Sequence, residues 1–330
     1  MQKIIYKKEV FQFSLVYLFC AIIQLRAKLA VTPVWFNGKL EENHSLLLQF
    51  LYTNNEQSRL LQFGIPEFFH RFFGLTIVDA YILQRVLFTF AAFVCFHVYL
   101  RKWFDRQVAF AGVIFLAAIM PLTYYNHLQE SAPMLLLTFL LTLWAIRERR
   151  VFLYVMLLVV GALNNETVLI LSSVYFFYNI RSWRIVQLCR ISLASVATCL
   201  PAFAVSALMR YVTRERPHLG GAWHLPGNLA NIADQIFWSP IDWWRAEYLY
   251  IFLIFGAFWF YAFCRWNQAP LFLKRASLMI PLFITCHMLT GIIREARQML
   301  PLSFIVIPLA LCYLFPRDEV VDHVSFNIGR

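Results

Sequence analysis

The stretch RERRVFLYVMLLVVGALNNETVLILSSVYFFYNIRSWR, residues 147–184, decides how the chain is read. Basic residues bound two apolar runs, 151–163 and 167–180, and Asn164, Asn165 and Glu166 stand between them. Each run is only 13 or 14 residues long, roughly 20 Å of helix against about 30 Å of hydrocarbon. One long tilted helix over 151–178 would carry Glu166 to mid-membrane and reverse everything that follows. Two short paired helices instead turn at 164–166 and return both basic ends to one side. The pair is preferred because it keeps the basic clusters together, as retention of cationic loops in the cytoplasm requires.

The rest of the chain fits that setting. It is 61% hydrophobic and 14% charged, with a mean hydropathy of +0.62, against roughly 45–50% and about 25% in soluble domains. This composition predicts an all-α, polytopic transmembrane bundle. With no Gly- or Ser-rich linker and no low-complexity tract, residues 1–330 read as a single integral membrane domain. The basic head and apolar run at the N-terminus lack a small-residue cleavage site before Arg26 and Lys28, which predicts a retained first span. The seven cysteines lie in or beside apolar runs with no CxxC spacing, so neither a disulfide framework nor a zinc site is indicated. A net charge of +11 is dealt out in small groups between apolar runs rather than massed, which argues against nucleic acid as a partner.

Candidate spans are 10–25, 80–100, 107–124, 133–146, 151–163, 167–180, 186–209, 246–264, 276–293 and 298–315, ten in all. With both termini cytoplasmic, 17 of the 29 Lys and Arg residues fall on the cytoplasmic side. The short opposite turns 125–132 and 164–166 have none, and 294–297 has two. Two long external loops remain, about 26–79 and 210–245. In the first, 45–52 and 67–75 mix aromatic and apolar residues with single charges and read as interfacial helices. In the second, Trp223, Trp238, Trp243 and Trp244 read as interfacial anchors.

In this topology the polar groups gather on the non-cytoplasmic face: Glu41, Glu42 and His44; Asn126, His127 and Glu130; Asn164, Asn165 and Glu166; Arg294, Glu295 and Arg297. Glu166 is expected at the floor of an outward-opening cavity, holding a hydroxyl-rich ligand or pairing with an arginine. Structurally, Asn164 or Asn165 can instead cap the helix beginning near Thr167. Arg294 and Arg297, three apart ahead of Pro301, suit a phosphate, unless Glu295 neutralises them. Arg85 lies about one turn inside its span and needs a partner, for which Glu166 or Asp79 would serve. His218 and His224 are solitary loop histidines and do not make a metal site.

The even-numbered bundle, long acidic first loop, short later turns and last external Arg cluster resemble the GT-C superfamily of membrane glycosyltransferases. ALNNETVLIL, 162–171, resembles that family's Asn/Lys–Glu–Thr turn, and REARQMLPL, 294–302, its late Glu/Arg–Pro segment. Asn165 stands where Lys is usual, and the first loop offers Glu41 and Glu42 but no Asp before Asp79. A further departure is that the soluble C-terminal domain of larger members is not expected here, which would suit a reduced or inactive form.

What the resemblance implies is transfer of a sugar from a polyprenyl-phosphate-linked donor to an acceptor on the non-cytoplasmic face. Glu41 or Glu42 would act as general base. Arg294 and Arg297 would stabilise the leaving phosphate. Asn164, Asn165, Glu166, Arg85, His127 and Glu130 would line the substrate site. The expected partners are a lipid-linked sugar donor and membrane lipids, and the expected location is a bacterial inner membrane, as part of the cell-envelope machinery. A divalent metal stays open as cofactor, with no clear ligand set. Two other functions also stay open: a transporter or flippase of a lipid-linked or anionic substrate, though no internal repeat is evident, and a non-catalytic membrane assembly subunit, which the missing early Asp would suit.

Overall fold

In the computed structural model, which describes residues 2–52, 55–124, 130–213, 223–237, 254–292 and 295–316, the first helix, α1 (Gln2–Val31), has two unlike faces. Phe11, Leu15 and Phe19, four apart, are exposed, while Tyr17, Ala21, Gln24 and Lys28 are buried. An apolar stripe turned outward and a partly polar one turned inward is the inverse of a water-soluble helix, and suits one bathed in lipid. The expected span of 10–25 with a loop from 26 is corrected: the apolar helix continues to Val31, carrying Arg26 and Lys28 with it. Lys28 stays inside because it meets an acid there.

Six helical segments are long and apolar enough to cross a membrane: Phe11–Val31, Ile77–Leu100, Arg106–Thr123, Ile185–Val212, Leu271–Thr290 and Ala296–Leu314. Regular structure among the described residues is entirely helical, so the chain is an all-helical protein compatible with an integral membrane location. Of the other expected spans, 133–146, 151–163 and 167–180 form the shorter helices α6 (Ser131–Arg147), α7 (Val151–Ala162) and α8 (Leu171–Asn179). The span expected at 246–264 falls partly outside the described residues, and its end forms the helix Ala257–Cys264.

The decisive stretch reverses direction. α7 ends at Ala162, and a 3-10 turn, Glu166–Ile170, leads into α8. Tyr154 stacks on Tyr175, and Gly161 lies against Val168 so closely that a Cβ on it would meet both Val168 methyls at 2.9 Å. Both pairs are centred on Asn164–Asn165, as an antiparallel hairpin requires.

α4 (Ile77–Leu100) and α6 run parallel, with α5 (Arg106–Ile119) returning the chain between them. Arg85 pairs with Glu130 at one end and Lys102 with Glu148, 3.2 Å, at the other. The 17 residues from Arg85 to Lys102 span about 25 Å. Lys102, Arg147 and Arg275 gather at the second end, where Arg147 lies over Trp103 and Arg275 donates to Tyr178 O. Between the ends, Phe96, Phe139, Phe283 and Phe304 pack edge-on or tilted in the core.

The first loop folds into α2 (Lys39–Leu48) and α3 (Leu60–Phe73), correcting the expected helices at 45–52 and 67–75. Gly38, at φ +75°, opens α2 in a conformation suited to glycine. Gly74 closes α3 with φ +67°. Of the expected tryptophan anchors, Trp223 is exposed, and the other three lie outside the described residues.

Candidate functional site

Polar side chains from distant parts of the chain meet at the end of the bundle opposite Lys102 and Arg147. Lys28 comes from the last turn of α1, Arg85 from the third turn of α4, Glu130 from just ahead of α6, and Arg297 from the 3-10 segment Ala296–Leu302. Arg85 Nη1 donates to Glu130 Oε2, and Lys28 Nζ lies 3.9 Å from Glu130 Oε1. Both Glu130 and Arg85 are buried. The partner of Arg85 is therefore Glu130 and not Glu166 or Asp79. Asp79 instead joins Thr76 in capping α4, its backbone N–H donating to Thr76 Oγ1.

The Arg85 guanidinium also rests over the Tyr124 ring, 4.8 Å from its centroid. Tyr124 OH donates to Gln24 Oε1 at 2.8 Å, and Gln24 Nε2 donates to Ala117 O at 2.7 Å. These bonds tie α1, α4 and α5 around a small cavity lined by Lys28, Arg85, Arg297, Thr123, Tyr124 and Pro133. Lys28, Arg85 and Arg297 face one small cavity beside the Glu130 and Glu295 carboxylates, a formal excess of one positive charge that favours an anion, and Lys28 and Arg85 are buried, where screening is weaker than in water.

Glu166 does not line this cavity. Its carboxylate lies 3.3 Å from Arg59 Nη2 and 3.4 Å from Arg210 Nη2, so the arginine-paired expectation describes it. Burial pushes its pKa upward, but Arg59 foremost, with a backbone hydrogen bond and Arg210, holds it below the ordinary carboxylate value. Asn165 Oδ1 accepts from Thr167 N at 3.0 Å, the cap expected of an asparagine there. Asn164 is fully buried, and its Nδ2 donates to Ser131 O at 2.9 Å, fastening the hairpin to the start of α6. The two asparagines thus build the turn that presents Glu166.

Arg297 Nη2 donates to Glu295 Oε2 at 2.9 Å, and Gln298 Nε2 donates to the same oxygen at 3.1 Å, so Glu295 does neutralise its neighbour while Arg297 still lines the cavity. Burial raises the Glu295 pKa, yet Arg297 draws it below the ordinary value. Arg59 also acts on Glu295, which links the Glu166 and Arg297 clusters electrostatically. Arg294, Asn126, His127 and His218 lie outside the described residues.

Glu41 and Glu42 occupy the first turn of α2 and are exposed, on the side away from buried Leu40, His44 and Leu47. His44 bridges Tyr81 OH, 3.1 Å, and Glu67, 2.9 Å, locking α2 and α3 onto α4. A further acid of the first loop, Glu56, was passed over by sequence reasoning. It is buried, accepts from Gln62 Nε2 at 2.9 Å, and lies close enough to act electrostatically on Lys28 and Tyr81. Its only sequence signal was an acid flanked by the polar run TNNEQSR, 53–59, inside an otherwise apolar loop.

Among the described residues no group of three or more His, Cys, Asp or Glu is arranged to hold a metal ion. His224 contributes its backbone N–H, which donates to Leu289 O at 2.8 Å. No protein-family model, curated protein or solved structure matches this chain. Its chemistry is therefore argued from the site alone.

Proposed function

We propose that the protein is a membrane glycosyltransferase that takes a sugar from a polyprenyl-phosphate-linked donor on the non-cytoplasmic side of a bacterial inner membrane. One observation carries this reading: Lys28, Arg85 and Arg297 converge on one small cavity at the end of the bundle away from the basic turns. An anionic headgroup held there can keep its hydrocarbon tail in the bilayer, which accounts for an embedded site. Cationic turns favour the cytoplasm, so the end bearing Lys102, Arg147 and Arg275 is assigned to that side, with both termini.

In this reaction the acceptor hydroxyl loses its proton to a carboxylate as its oxygen attacks the anomeric carbon. The bond from that carbon to the donor phosphate oxygen breaks, and the electron pair leaves with the phosphate. Arg297, with Lys28 and Arg85, stabilises the charge that develops on that oxygen. Burial and electrostatic reach to Lys28 favour Glu56 as the base over the exposed Glu41 and Glu42. Glu166, held as a carboxylate by Arg59 and Arg210 and still 31% exposed, is suited to accept hydrogen bonds from sugar hydroxyls.

The test is incubation of the protein, in proteoliposomes made with a membrane extract that supplies acceptors, with a polyprenyl-phosphate-linked radiolabelled sugar. Release of free polyprenyl phosphate, lost in Arg297→Gln and Glu56→Gln, is expected. Movement of intact donor across the bilayer without cleavage would assign transport instead.

A further inference from the structure

We propose that Glu130 is an internal stand-in for a ligand phosphate, and that a phosphate group enters the cavity by displacing the Glu130 carboxylate from Arg85 and Lys28. This rests on the cationic cavity of the preceding reading and concerns how that cavity is kept and filled.

Four observations converge. First, the cavity is small, about 20 Å³, on the scale of a site for one ordered water, and the Glu130 carboxylate already takes the position beside Arg85 and Lys28 that a phosphate would use. Second, the ion pair that fills the adjoining space is incompletely satisfied. Glu130 uses Oε2 on Arg85 Nη1, whereas Glu130 Oε1 and Arg85 Nε, both buried, make no hydrogen bond. A guanidinium and a carboxylate in their best geometry meet through two parallel bonds; this pair does not. A tetrahedral phosphate offers three acceptor oxygens, enough to reach Arg85 Nε as well as Nη1 and still face Lys28 and Arg297.

Third, the charges balance on exchange. Lys28 and Arg85 share one carboxylate, which offsets the desolvation of two buried cations. A phosphate arriving there replaces the negative charge that leaves. Fourth, Glu130 is placed to leave. It precedes the first turn of α6, has non-helical backbone angles of φ −121° and ψ 17°, and makes no side-chain capping bond. Turning its side chain away therefore breaks no helical hydrogen bond. The side chain that neutralises Arg85 and Lys28 is thus also the competitor that an entering ligand must beat.

The full-length protein in detergent micelles, titrated separately with inorganic phosphate and with a polyprenyl monophosphate, provides the test. Glu130→Gln should bind roughly ten- to a hundredfold more tightly than the parent, the range one charge-assisted hydrogen bond is worth. Glu130→Asp, which draws the carboxylate back while keeping its charge and so preserves the fold if the glutamine variant loses it, should fall in between. Tightening towards both probes supports exchange with any phosphate; tightening towards the lipid probe alone supports exchange with a lipid headgroup. Unchanged or weaker binding of both probes by both variants would overturn the proposal. Sugar transfer is not read in this experiment, so a chain that exchanges but transfers nothing would refute the enzymatic reading alone.

Discussion

Tyr154 and Tyr175 stack with ring centroids 5.0 Å apart and planes 3° from parallel, at matching distances on either side of Asn164–Asn165. That contact fixes the reversal of the chain between α7 and α8. It sets Glu166 at a tip beside Arg59 and Arg210 rather than in the middle of a long helix.

Gly161 is the closest approach within the hairpin, so Gly161→Ala tests it. In an open helix the change would stabilise by about 1 kcal/mol. Here the new methyl meets Val168 at 2.9 Å, and a β-branched neighbour yields poorly, so overpacking of about 1–3 kcal/mol should win. A lowered Tm in detergent is expected, partly recovered by adding Val168→Ala. An unchanged or raised Tm would contradict the close packing.

The Arg85–Glu130 pair should show strong non-additivity. Arg85→Met alone and Glu130→Leu alone each leave a buried charge without its partner, at a cost of about 3–5 kcal/mol. The double variant removes both charges of the pair but leaves Lys28 without Glu130, so it should recover part of that stability while losing phosphate binding. Denaturation of all four proteins closes the cycle. Additive losses would show that the two side chains do not act together.

Glu166 gives the stability a defined acid dependence. Because Arg59 and Arg210 outweigh burial and hold its folded pKa below the ordinary value of 4.5, its contribution is fully present above that value. It is lost as pH falls through the depressed folded value. Between pH 5 and the acid limit, Glu166→Gln should therefore flatten the fall in Tm relative to the parent. Identical profiles for the two proteins would remove Glu166 from the account.

Much of this arrangement was legible in the sequence, and the rest was not, for physical reasons. Asn164 and Asn165 interrupt the apolar run, and the basic turns sort the two ends of the bundle, because both signals are local. The polar turns were expected at one end; Arg297 lines the cavity and Glu130 pairs beside it, while Glu166 stands apart with Arg59 and Arg210. The partner of Arg85 lies 45 positions away, and no local pattern distinguishes Glu130 from Asp79 or Glu166 as its mate. Lys28 reads as the flank of a span until Gln24 and Lys28 are seen to continue the inward face of Tyr17 and Ala21. Glu41 and Glu42 are expected as the working acids from the resemblance, as the nearest match to the family's early acidic position. The fold of the first loop turns them outward and buries Glu56 instead.

Asn165 separates a structural turn from a ligand contact. Asn165→Asp keeps an oxygen for Thr167 N and should retain stability, while Asn165→Ala should lose about 1 kcal/mol. Thermal denaturation of both variants checks it. Equal losses in the two would mean that the cap does not hold the turn.

The cavity between α1, α4 and the 296–302 segment is the centre of the account, and photolabelling tests it most directly. A polyprenyl monophosphate bearing a photoreactive group next to the phosphate should label peptides containing Lys28, Arg85 or Arg297. Unlabelled polyprenyl phosphate should suppress that labelling, and Arg85→Gln should greatly reduce it. Labelling confined to the Lys102–Arg147 end, or spread along the exposed apolar stripe of Phe11, Leu15 and Phe19 and indifferent to competitor, would contradict it.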